Sequence, residues 1–173
     1  MFSVLHHGTH RRAWREPTCN PSSVHVTVKL GVMSLEEQKM ALRDRGILHN
    51  TYAEALFRRV VVERAQREIT LALTSFAEVG LPSGGTLEEL AETAASLQLF
   101  PAPLEAAIQL RLRWKGETEG DRITVVSPRA SVDEREPRGF YLRRDREGFW
   151  LRGYVASDDW RFAGSERIAL AVG

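Results

Sequence analysis

Between Phe140 and Tyr154, aromatic rings and arginines fall at positions that can share one surface. Phe140 to Arg144 and Phe149 to Tyr154 alternate in character and flank Asp145-Arg146-Glu147-Gly148, residues that favour a tight hairpin loop. With Arg146 and Glu147 at the turn, Arg143 lies opposite Trp150 and Tyr141 opposite Arg152. Successive side chains of a strand point to opposite faces, so Phe140, Leu142, Phe149 and Leu151 share one of them. Tyr141, Arg143, Trp150, Arg152 and Tyr154 share the other. Planar rings interleaved with guanidinium groups can stack on unpaired bases and meet phosphates, the chemistry of single-stranded nucleic-acid binding. An acidic protein would satisfy the same arginines. The pattern also suits a plain amphipathic sheet, in which cross-strand aromatic–Arg pairs contribute roughly 0.2–1 kcal/mol each. Arginine outnumbers lysine 21 to 3 along the chain, so one outward arginine carries little information.

Other constellations are thinner. Asp158-Asp159 offers carboxylate oxygens suited to magnesium or calcium, and His49 has the chemistry of a general base. Together they define the competing expectation, a small hydrolase or nuclease-like effector. Adjacent carboxylates diverge in extended chain, however, and Ala156 to Trp160 reads more simply as a turn. His6, His7, His10 and Cys19 are zinc-type donors at spacings that fit no zinc pattern. Gly80-Leu-Pro-Ser-Gly-Gly-Thr lacks the Lys-Ser/Thr ending of a phosphate loop. Neither a Gly-x-Gly-x-x-Gly fingerprint nor a Gly-x-Ser-x-Gly elbow occurs. Thr86 to Leu110 has the loose spacing of a helix-turn-helix. Its second helix would begin Ala102-Pro103-Leu104-Glu105-Ala106, which has no cation or amide to read base edges. No catalytic residue, cofactor or metal ligand is assigned from the sequence.

The elements that must present the Arg/aromatic face belong to a chain of 173 residues, 43% hydrophobic and 27% charged. That size and balance suit one domain with a real core. No apolar run approaches the roughly 18 residues of a membrane span. The net charge of +1 exerts no general attraction for nucleic acid, and the single cysteine excludes an internal disulfide. A soluble, cytoplasmic binding or accessory factor is expected, and the arginine bias suits a GC-rich bacterial genome.

Charge is distributed unevenly. Residues 1–32 hold Arg11, Arg12, Arg15 and Lys29 against Glu16 alone, with four of the five histidines. They read as an upstream extension to a single α+β domain at 33–173. The alternative is that Val24-His25-Val26-Thr27-Val28 adds a strand by its period-two alternation. Ser34 with Glu37, Thr51 with Glu54 and Thr86 with Glu89 have the spacing of capping boxes, and Gly46 ends the first helix. Ile69 to Thr74 alternates as a strand, with one long helix through Ala77 as the competitor. Pro101 and Pro103 start a short helix near Leu104. Ile108, Leu110, Leu112 and Trp114 alternate with polar residues and predict a strand, whose Arg111 and Arg113 would join the Arg/aromatic face. Arg122 to Ser127 and Arg167 to Val172 complete the set. The expected architecture is α+β: N-terminal helices, then a largely antiparallel sheet of about five or six strands with a C-terminal hairpin.

Overall fold

Valine at alternate positions suits a pleated, half-buried surface, and the chain uses it for a strand at once. The computed structural model describes residues 23–173, beginning with β1 (Val24–Leu30), α1 (Leu35–Asp44), β2 (Leu48–His49) and α2 (Thr51–Phe57). β3 (Arg67–Ser75), α3 (Phe76–Val79), α4 (Leu87–Ala95), β4 (Leu99–Phe100) and α5 (Leu104–Arg113) follow. The chain closes with β5 (Arg122–Val125), β6 (Gly139–Asp145), β7 (Gly148–Tyr154) and β8 (Arg167–Val172). The fold is α+β, on one mixed sheet ordered β1-β3-β8-β5-β6-β7-β2, with β4 also paired to β8. β5 runs parallel to β8 and β2 parallel to β7; the other pairings are antiparallel.

Helices cover both faces. On one, Leu71 and Leu73 of β3, Ile123 and Val125 of β5, and Phe140 and Leu142 of β6 pack with α1, α2 and α5. On the other, Ile168 and Leu170 of β8 and Tyr141 of β6 pack with α3, α4 and Phe162. Helix starts follow local chemistry. Ser34 with Glu37 and Thr86 with Glu89 each form a complete capping box, and Gly46 closes the first helix end at φ +66°.

Four expectations are corrected. The chain begins, among its described residues, with a strand rather than helices, because β1 pairs along its whole length with β3, Val26 opposite Leu71. Val28 and Leu30 are buried by that pairing, so residues 24–30 belong to the folded body and take the strand alternative; residues 1–22 of the expected extension lie outside the described residues. The sheet has eight strands, two of only two residues, and two parallel pairings, in place of five or six largely antiparallel ones. Leu104–Arg113 is a single helix that absorbs the expected strand from Ile108 to Arg113 and leaves Trp114 as its extended C-cap. It lies nearly enclosed between the sheet and α1, with Ala106, Ala107, Ile108 and Leu110 all buried, so it lacks the one-sided pattern of a surface helix. That enclosure also removes it as a recognition helix. Finally, Asn50, not Thr51, caps α2, its side chain accepting the Ala53 amide at 2.9 Å.

Candidate functional site

The β6–β7 hairpin has the register expected from its loop, with Arg143 opposite Trp150 and Tyr141 opposite Arg152. Gly148 supplies the turn's exit at φ +136°, a conformation side chains resist. Asp145 accepts hydrogen bonds from the Glu147 amide at 3.0 Å and from Trp150 Nε1 at 2.9 Å. The indole bond, with the turn amides, holds the Asp145 carboxyl below the usual aspartate range. Trp150 is thereby fixed in orientation, and the Arg152 guanidinium lies 4.8 Å from its ring centroid, within cation–π range.

Around this hairpin the second sheet face dips into a cleft of about 490 Å³. Tyr141 and Tyr154 lie in it as largely buried rings, packed against each other, with Tyr154 also against Phe162. Burial pushes the Tyr154 phenol up to about 12, so it stays neutral at ordinary pH. Arg122, at the start of β5, stacks 4.1 Å from the Tyr141 ring centroid. It also lies 3.3 Å from Glu166, which accepts the Thr124 hydroxyl at 3.2 Å. Tyr52 and Trp160 are far apart in the sequence but line the same cleft, and both rings are substantially exposed, 47% and 58%.

Three side chains of the lining are guanidinium groups: Arg122, Arg152 and Arg161. Arg122 is answered by Glu166 and Arg161 by Glu89, at 3.2 Å. Arg152 has no carboxylate partner among the described residues, and its Nε is buried without a hydrogen bond. It is the cation of this site best placed to accept an external anion.

One wall is the turn after β7, held by Asp158. Its carboxylate accepts from Arg129 and from Arg138, and the Arg129 and Arg138 bonds hold it below the usual aspartate range. The Asp158 amide donates to Glu134 at 3.3 Å.

Of the sequence-derived set, Tyr141, Arg143, Trp150, Arg152 and Tyr154 do come to one face, with both tyrosines in its floor rather than on its surface. Arg111 and Arg113 do not join them. They belong to α5 on the other layer, and Arg111 is fully buried in an ion pair with Glu117, 5.0 Å from the Phe149 ring. The competing carboxylate set is not assembled either. Asp158 faces two arginines, Asp159 accepts the Ser157 hydroxyl, and His49 sits in a separate cavity of about 300 Å³ against Phe57. Burial lowers the His49 pKa despite Glu54 at 3.9 Å. Among the described residues no three His, Cys, Asp or Glu side chains cluster as metal ligands; His6, His7, His10 and Cys19 lie outside them. No helix among the described residues is long and apolar enough to cross a membrane.

Sequence reasoning missed Arg122, Tyr52, Trp160 and Glu166. Trp160, a large ring within a polar turn, was the visible signal; the others depend on strand order. No protein-family model matches the chain, and no curated protein or solved structure shows significant similarity to it.

Proposed function

We propose that this protein is a non-enzymatic binding factor that takes single-stranded nucleic acid on the Arg143–Trp150–Arg152 face and its adjoining cleft. The observation that carries this reading is Arg152, a guanidinium without a carboxylate partner among the described residues, stacked on an indole and lining a cleft with further rings at its rim. A phosphate answers the guanidinium, and an unpaired base offers the flat surface that exposed rings accept. Duplex bases, stacked and paired, cannot enter such a cleft singly. Arg143 extends the cationic track along the hairpin, tied only loosely to Asp145 at 3.6 Å.

Fluorescence anisotropy with a labelled single strand at two salt concentrations tests the proposal. Every phosphate left unanswered in Arg143→Ala/Arg152→Ala should flatten the log–log salt dependence by about 0.7. Trp150→Ala should weaken binding by roughly 1–3 kcal/mol with little change of slope. Urea unfolding of each variant checks that the hairpin survives. Absence of binding at low salt, or affinity unmoved by these substitutions, rejects the reading. Equal competition by an acidic polypeptide and a single strand would transfer the face to a protein partner.

A further inference from the structure

The charge pattern of the cleft says how much of a strand it can hold. We infer, resting on the single-strand reading, that the cleft is a one-nucleotide subsite in which Arg152 receives one phosphodiester and Trp160 and Tyr52 flank the base. The volume, about 490 Å³, falls within the roughly 300–1,000 Å³ of small-ligand sites, enough for one nucleotide and little of its neighbours. The lining presents three guanidinium groups, but Glu166 neutralises Arg122 and Glu89 neutralises Arg161. The local demand is for one negative charge. A phosphodiester brings that charge; a triphosphate brings several, and the excess would face Glu166 with no further unanswered cation in the lining to meet it.

The rings give the same answer from the other side. Tyr141 and Tyr154 are buried, Tyr154 against Phe162 and Tyr141 covered by the Arg122 guanidinium, so base stacking falls to the exposed rings at the rim. Tyr52 is held near the mouth by backbone geometry. Asn50 bonds both the Gly153 amide (2.8 Å) and the Gly153 carbonyl (2.9 Å), prolonging the β7 edge where β2 ends. A Cβ on Gly153 would come within 2.6 Å of the Tyr52 backbone, so glycine lets α2 close on the strand there. Trp160 lines the same cleft from the Asp158-held turn. Neither ring belongs to the core, so each can be replaced without a cavity.

The experiment uses the full chain, a labelled twelve-residue single strand and three unlabelled competitors: a dinucleoside monophosphate, ATP and inorganic phosphate. The dinucleoside monophosphate should displace the strand at lower concentration than ATP or phosphate. Trp160→Ala should raise its Kd roughly tenfold or more, and Trp160→Phe should restore most of the affinity. Arg152→Ala should remove about 0.7 from the salt slope of the strand. ATP competing better than the dinucleoside monophosphate would overturn the single-charge subsite. Strand binding that ignores Trp160→Ala and Arg152→Ala would also overturn it, and would remove Arg152 from the hairpin-face reading, which would then rest on Arg143 and Trp150 alone. Direct binding of a labelled dinucleoside monophosphate with no binding of the longer strand would do the reverse, keeping the subsite and ending the strand reading.

Discussion

A guanidinium wholly out of water needs a carboxylate, and Arg111 has one in Glu117, which meets both of its terminal nitrogens. The pair sits beneath the apolar side of the same hairpin that carries the candidate site, with Arg111 close to the Phe149 ring. Nothing local marks it in the sequence, because Arg111 alternates with leucines as an outward strand residue would, and its partner is six residues on. Burying two charges is expensive, so the pair is a poor source of net stability but a severe one to break. Glu117→Ala, which leaves the cation buried and unanswered, should cost about 3–5 kcal/mol. The double change Arg111→Met/Glu117→Leu should recover most of that loss, since apolar side chains of similar size carry no desolvation penalty. Urea unfolding measures both. A double variant as unstable as Glu117→Ala would mean the pair orders the chain in a way packing cannot replace. Glu105 solves the same problem without a cation: it accepts from the Gly31 amide (2.9 Å), Gln38 Nε2 (3.1 Å) and the Glu63 amide (3.0 Å).

Elements differ in how far they announce themselves. The hairpin was legible to its register because loop chemistry and period-two alternation agree, and a one-residue slip would invert every side chain. Capping boxes at Ser34 and Thr86 were legible because their partners are three residues away. α5 was legible only at its start near Leu104; beyond it, a helix enclosed on nearly all sides loses its 3.6-residue pattern and here retained an accidental alternation. The Trp160 turn was half legible: Asp158 was visible as a carboxylate, but its partners Arg129 and Arg138 are distant in sequence. Those bonds make the turn sensitive to acid. The folded pKa of Asp158 is lowered, so its contribution is complete above the ordinary aspartate value of 3.8 and disappears as pH falls through the lowered folded value. The indole NMR signal of Trp160 should therefore hold its position from neutral pH down to the carboxylate range and move only below it. In Asp158→Asn protein the signal should already be displaced at neutral pH, with a weaker hold on single strands. An unchanged signal in that variant would show that the turn stands without the two arginines.

At the scale of the molecule, β1 and the β6–β7 hairpin lie toward opposite ends of the sheet order, yet Val28 and Leu30 share one core with Phe140, Leu142 and Leu151 under the hairpin's apolar side, while the cleft opens on the other face. The charge seam at Met33 conceals this, because only Val28 and Leu30 of β1 are buried while most of its remaining residues face outward on an edge. Two buried residues leave little trace in composition. Their exposure is 1% and 0%, and each should contribute about 1.5–3 kcal/mol by burial. Removing residues 1–32 would also strip β3 of its partner from Arg67 to Leu73 and take the Gly31 amide from Glu105. A newly bared, apolar edge strand is in addition a template for aggregation. Against a total stability of typically about 5–15 kcal/mol, a chain beginning at Met33 should melt far below the full chain or fail to remain in solution. Melting at the same temperature would show that β1 is dispensable. Unfolding must be separated from damage to the site, and Leu30→Ala in the full chain does so. It should lower the melting temperature, at about 2–5 kcal/mol, through a cavity at β1, four strand positions from β6 and on the sheet face away from the cleft. Its affinity for a single strand, measured where the variant remains folded, should match that of the parent, because Arg143, Trp150 and Arg152 are held by the hairpin. A parallel fall in affinity would mean that the sheet transmits the state of its β1 edge to the cleft.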